Sequence, residues 1–194
     1  NLWMKGYEGR EVFSIKAPAC KAFRTNDDFP YEVNKVPYQT MAARQHGEAW
    51  SHPFVSIFEP ATEKEGRSVK SIESFRPAKA SDDFVGLTVT GKTGRTDYIF
   101  SSVKDEIITH NDMSVHGTYS VISEQGQYFI LFMGNGRKVS AKGFSIEALE
   151  NTNAVLEYKG GKYFIVCEKP VVVKSLKNKK GISLNATGYR EIGL

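Results

Sequence analysis

The chain has 194 residues, 40% apolar and 25% charged. This excludes a disordered chain and leaves room for one large domain, or one domain and a small satellite. Its 26 Lys and Arg against 22 Asp and Glu leave +4, with both signs mixed along the chain, which gives no pointer to nucleic acid, and no apolar run approaches the ~18 residues of a membrane helix.

Composition points to strands. Twelve Phe, nine Tyr and two Trp accompany seventeen Gly. Aromatic residues suit pleated strands, and Gly suits the turns between them. In chain order, alternation predicts strands over 11–15, 40–46, 54–58, 69–75 and 84–89. Leu87-Thr88-Val89-Thr90 then turns through Gly91 to Gly94 into 95–100. A polar stretch follows over 101–112. Residues 119–124 turn at Gln125-Gly126 into 127–132, and Gly134-Asn135-Gly136 predicts another turn into 137–140. Residues 144–149 alternate as a strand, although 145–151 would also make a short helix. Residues 155–159 turn at Gly160-Gly161, which supplies the positive φ angles of a two-residue hairpin, into 162–166. Strands over 171–174 and 182–185 follow. No 15-residue window holds a 3.6-residue apolar repeat. The expected fold is all-β: an antiparallel two-layer sandwich with a C-terminal hairpin stack. The polar stretch sets the expected division, 1–104 for the sandwich region and 105–194 for the hairpin region, or one continuous domain.

Few residues suggest chemistry. Cys20 and Cys167 are too few for a disulfide scaffold; they form one bridge or stay as buried thiols, and the thiol reading is preferred because Tyr163 to Cys167 looks like a buried strand. His46, His52, His110 and His116 lack metal-site spacing. His110 and His116 read as exposed loop residues. No metal and no cofactor are expected. A Ser-His-Asp order, a phosphate loop and Cys-x-x-Cys are all missing. Gly91-Lys92-Thr93-Gly94-Arg95 reads as a hairpin turn. The run Lys174, Lys177, Lys179 and Lys180 reads as a solvated turn, with an anionic-polymer contact as the alternative. Asn185-Ala186-Thr187 is a glycosylation sequon, of consequence only in a eukaryotic secreted protein. Asn1 to Gly6 is neither a signal peptide nor an ordinary start, and reads as a piece of something longer or a mature product.

The strongest candidate is the segment from Arg44 to His52. In an extended chain Arg44, His46, Glu48, Trp50 and His52 share one face, opposite Gln45, Gly47, Ala49 and Ser51. Arg forks onto carboxylate or sulfate, Trp stacks on a sugar ring and Glu accepts from hydroxyls. The row Arg44, His46, Glu48 and Trp50 is therefore the expected substrate-binding set. A solvated strand with local ion pairs is the alternative, and Gly47 can bulge the strand and break the parity.

Several phrases together resemble one family. They are Trp3-Met4-Lys5-Gly6-Tyr7-Glu8-Gly9-Arg10-Glu11-Val12-Phe13, Ala17-Pro18, Ala43-Arg44-Gln45-His46-Gly47-Glu48-Ala49-Trp50, Pro53-Phe54-Val55-Ser56-Ile57-Phe58-Glu59-Pro60 and Gly94-Arg95-Thr96-Asp97-Tyr98-Ile99-Phe100-Ser101-Ser102. The chain is similar to the C-terminal β-sheet part of heparinase II/III-like polysaccharide lyases of gut Bacteroidetes. That resemblance implies an α/α toroid ahead of β-sandwich layers, and β-elimination on uronic-acid polysaccharides. It implies a periplasmic or secreted setting, an acidic polysaccharide ligand, and a missing toroid domain or same-family partner, with no nucleic acid and no membrane. The family's catalytic tyrosine belongs to the toroid, and its histidine to an early strand unmatched here. No catalytic residue is carried over, and the chain alone is expected to be inactive. The expected function is a non-catalytic β module that supports or extends a polysaccharide cleft. The alternative is a stand-alone carbohydrate-binding or protein-interaction domain.

Overall fold

The computed structural model describes residues 1–17, 38–48, 51–177, 179, 181–185 and 187–194. All regular structure among the described residues is strand, fourteen in number. The chain forms two compact units, one of residues 1–5 and 53–194 and one of residues 6–52. In the larger unit β1 (Leu2–Met4) pairs antiparallel with a strand over Ser56–Phe58. The smaller unit holds one antiparallel pair, β2 (Glu11–Ala17) and β3 (Tyr38–Arg44). The Ser56–Phe58 strand is β4.

The rest of the larger unit is one antiparallel sheet of ten strands. It begins as a meander of β5 (Val69–Phe75), β6 (Val85–Gly91), β7 (Thr96–His110), β8 (Met113–Gln125), β9 (Tyr128–Ala141) and β10 (Phe144–Lys159). At β10 the sheet forks. The end of β10 pairs with β11 (Lys162–Cys167), which carries β14 (Thr187–Ile192). The start of β10 pairs with β12 (Val171–Ser175), which carries β13 (Ile182–Leu184).

Strands β7 to β10 have 13 to 16 residues, against a usual length of about five or six. They fold over rather than stay flat. Phe129 is the register partner of Tyr158, so about 45 Å of extended β10 separates it from Phe144. Their rings nevertheless lie 5.1 Å apart. The Phe75 ring lies 5.2 Å from Phe100 and 3.9 Å from His110 at the far end of β7. Lys142, in the β9–β10 turn, pairs with Glu124 at 2.5 Å across the same closure. The expected two-layer sandwich is thus made by one sheet creased into two leaves. Leaf 1 holds β5, β6, β11, β14 and one half of each long strand. Leaf 2 holds the other halves with β12 and β13. Phe84, Phe100, Ile122, Leu131, Leu156 and Ile165 from leaf 1 share one core with Ile108, Val115, Val139, Ile146 and Val173 from leaf 2.

The crease follows irregularities in the register: between Ser101 and Glu106 on β7, at His116/Gly117 on β8, and between Glu147 and Ala154 on β10. Such bulges bend strands. Inward positions on β8 change parity there, from Met113 and Val115 to Ser120 and Ile122. Gly117 has φ +151°, and a Cβ on it would lie 2.4 Å from the Gly136 Cα. The strands touch backbone to backbone at the bend, which only Gly permits.

This geometry corrects two expectations. Gly134-Asn135-Gly136 is no turn but the crease segment of β9. The polar stretch 101–112 is mostly strand and turns only at Asn111-Asp112. Residues 144–149 form a strand as expected, the start of β10, in place of the short helix that 145–151 also allowed. The Gly160-Gly161 hairpin is as expected, with φ +59° and +82° between partners Lys159 and Lys162.

Candidate functional site

The expected row Arg44, His46, Glu48 and Trp50 falls in the smaller unit. The strand predicted over 40–46 stops at Arg44, so strand alternation does not carry the row past that residue. Gly47, at φ +103°, turns the chain. Arg44 faces its register partner Glu11, with Nε donating to Oε2 at 2.7 Å, and its guanidinium lies 5.4 Å from the Phe13 ring centre. His46 and Glu48 are exposed. Trp50 lies outside the described residues, as do Cys20 and Lys180. The described cluster here is a different set. Arg10 donates from Nε to Gln45 Oε1 at 3.1 Å and from Nη2 to the His52 carbonyl at 2.9 Å. Its guanidinium lies over the Tyr7 ring, which also meets the His52 ring edge-on at 5.3 Å.

Sequence reading missed the outer face of leaf 2. Register places Ile107, His116, Lys138, Glu147 and Val172 in one row across five strands. The row beside it is Thr109, Ser114, Ser140, Ser145 and Lys174. All point away from the core, because their strand neighbours Ile108, Val115, Val139, Ile146 and Val173 point into it. A face of hydroxyls and charges results. Above it lies a groove of about 350 Å³ lined by Lys138, Ser140, Ser145, Lys174 and Lys179, with Phe144 on its wall. A volume near 300 Å³ is at the small end of ligand clefts. Lys174 and Lys179 belong to the basic run of the sequence. Lys138 comes from a distant strand, which no sequence window could supply.

Two charge clusters shape this face. At the crease, Arg137 Nη2 lies 3.0 Å from Asp105 Oδ2 and 2.8 Å from His116 Nε2. A guanidinium can only donate, so His116 Nε2 accepts and its lone pair is occupied. His116 is therefore not poised as a base. The Arg137 Nε is buried with no hydrogen-bond partner among the described residues. Histidines 110 and 116 both sit on strands, correcting the expected loop placement, and His110 stacks on Phe75. Farther along, Glu147 bonds to Lys174 and lies 3.7 Å from Lys138.

The Lys174 hydrogen bond holds the Glu147 carboxyl below the ordinary glutamate value, against the opposing effect of burial. Its pKa is depressed in the folded state. The stabilisation is therefore present above the unfolded value of about 4.3 and is lost as pH falls through the folded one. Because all three side chains are partly exposed, the expected contribution is under about 1 kcal/mol. Stability of Glu147→Gln, measured by urea unfolding against pH, is expected to equal that of the parent well below the folded pKa, to fall behind as pH rises through it, and to show the full gap above the unfolded value of about 4.3. An equal gap at all pH values would refute this.

The tyrosines with resolved shifts, Tyr98, Tyr128, Tyr163 and Tyr189, are all raised and hold their protons. Tyr98 and Tyr163 are raised chiefly by burial, and Tyr189 is pushed up to about 12 by its hydrogen bond to Glu157. Among the described residues no group of three His, Cys, Asp or Glu could hold a metal ion. Cys167 is buried, and its thiol donates to the Asn185 carbonyl at 3.3 Å.

The outer face of leaf 1 carries an apolar row. Register aligns Leu87, Ile99, Val121, Phe132, Val155 and Val166 across six strands. None of them belongs to the inter-leaf core.

Residues 70–158 match the family described as the endo-acting ulvan lyase C-terminal domain. An endo-acting ulvan lyase from Formosa agariphila is 29% identical over 126 residues, 61% of this chain. The match covers 15% of that curated relative's length. No solved structure matches the chain. The family match starts at 70, whereas the phrases that suggested a lyase run from Trp3 to Ser102, so the two overlap over 70–102. Of those phrases, Gly94 to Ser102 falls in the creased sheet. The chain is thus similar to the C-terminal region of a polysaccharide lyase.

Proposed function

We propose that this chain is a non-catalytic β module of a uronic-acid polysaccharide lyase of heparinase II/III-like build, secreted or periplasmic, which extends the enzyme's polysaccharide-binding surface. The observation that carries this reading is the polar outer face of leaf 2, which lies largely within the region matching an ulvan lyase C-terminal domain. Lys138 and Lys174, spaced along rows of serine hydroxyls, suit a chain of sugars bearing carboxylates or sulfates. The engagement of His116 Nε2 by Arg137 supports the non-catalytic part, since β-elimination needs a positioned base. The apolar row on leaf 1 supports the remaining part, a covering domain belonging to the rest of a longer lyase. Arg44, His46, Glu48 and Trp50 are a second proposed saccharide contact, on the smaller unit.

Calorimetric titration with ulvan oligosaccharides tests the binding. The chain is expected to bind weakly and salt-dependently. Lys138→Ala with Lys174→Ala is expected to weaken binding about tenfold, some 1.4 kcal/mol. Arg44→Ala reports on the second contact. No absorbance from unsaturated uronate product is expected when the chain alone is incubated with ulvan. Unchanged affinity in the lysine double variant, or steady product formation abolished by changing one residue of the chain, would overturn the reading.

A further inference from the structure

We infer that a groove beside β1 is a separate site for a single anionic sugar ring, independent of the leaf 2 face. The groove holds about 320 Å³. Trp3, Ile57 and Ile72 give it an apolar side, and Arg67, Lys70 and Ser71 a polar one. Its walls come from β1, β4 and the start of β5, which sequence separates by more than fifty residues.

One carboxylate fixes those walls. Glu59 follows β4 and accepts from the Val69 amide at 2.7 Å, the Ser68 hydroxyl at 2.9 Å and the Asn1 side-chain amide at 3.1 Å, as well as from the Ser68 amide. These bonds, led by the Val69 amide, lower the Glu59 pKa. The end of β4 is thereby tied to the start of β5. Four donors engage the Glu59 oxygens, so its charge is compensated within the wall. Arg67 is oriented by its Nε, which donates to Asn1 Oδ1 at 3.1 Å.

The cations differ from those of leaf 2. Lys138, Lys174 and Arg137 each face a carboxylate. Among the described residues, no carboxylate lies within ion-pair distance of Arg67 or Lys70. An incoming anion there competes with no carboxylate of the described residues. A planar guanidinium fork takes carboxylate or sulfate in two parallel bonds. An indole beside it offers a flat apolar surface to the C–H face of a sugar ring. The small volume suits one ring of an oligosaccharide rather than a long stretch. An apolar wall with uncompensated cations selects a ligand that is both ring-shaped and anionic, which neither a neutral sugar nor a free inorganic anion satisfies.

The chain has two tryptophans, Trp3 and Trp50. In a Trp50→Phe background, indole emission therefore reports on the groove alone. Tetragalacturonate is expected to shift or quench it saturably. A sulfated neutral tetrasaccharide is the second arm, and separates sulfate from carboxylate recognition. Cellotetraose and inorganic sulfate are expected to leave the emission unchanged. Arg67→Gln with Lys70→Gln is expected to raise the apparent Kd at least about tenfold, without altering the far-ultraviolet dichroism. Trp3→Phe in the parent chain is the complementary variant and is expected to remove the groove's contribution, any emission change that remains belonging to Trp50 and the second contact. The lysine double variant of leaf 2 is expected to keep the full emission change, so failure here and failure of the leaf 2 face are read separately. No response to either anionic oligosaccharide, an equal response to cellotetraose, or a response to inorganic sulfate alone would overturn the site.

Discussion

Gly117→Ala is expected to destabilise the chain by about 3 kcal/mol, combining positive-φ strain with overpacking, each worth roughly 1–3 kcal/mol. The added Cβ would sit 2.4 Å from the Gly136 Cα and 3.0 Å from the Asn135 carbonyl oxygen. Both are backbone atoms, so no side chain can swing aside. The two strands must part at the place where the sheet bends, and the leaves then meet less closely over the core. Gly188→Ala is the control. A Cβ there meets nothing within 4 Å, and the expected change is within about 0.5 kcal/mol. Urea midpoints for the two variants decide the matter. A Gly117→Ala midpoint as high as that of Gly188→Ala would mean that the strands do not approach at the crease.

The second large effect concerns two leucines of one strand. Leu156→Ala is expected to cost about 3 kcal/mol, within the 2–5 kcal/mol of buried Leu truncations, and Leu149→Ala close to nothing. Both lie on β10. Leu156 is 0% exposed and packs between the leaves, whereas Leu149 is 100% exposed in the bulged segment. Sequence separates them poorly, since each sits among alternating polar and apolar residues. Equal losses of stability in the two variants would show that the bulge does not turn Leu149 outward.

Local signals carried much of the architecture. The strand over Val69–Phe75 and the hairpin at Gly160-Gly161 were readable because alternation and positive-φ turn residues act between chain neighbours. The crease was not. Gly134-Asn135-Gly136 has turn composition, and only the facing Gly117, far away in sequence, reveals that these glycines serve a close strand contact. The candidate site shows the same limit. The run Lys174, Lys177, Lys179 and Lys180 was visible, but Lys138, Ser140 and Glu147 reach Lys174 through register. Arg44 and Glu48 were legible as residue types suited to sugars, yet the alternation that grouped them ends with β3.

By itself the sequence determined an all-β, antiparallel chain with hairpins at its Gly-rich turns and phrases of polysaccharide-lyase type. These follow from composition and from spacings of a few residues, where backbone preference acts. Only the tertiary structure decided that four long strands fold over one core, that one outer face carries an apolar row and the other rows of hydroxyls and charges, and that Trp3 shares a groove with Arg67 and Lys70. The reason is that a one-residue bulge reverses which side chains face inward, and groove walls are assembled from strands whose register is set by pairing.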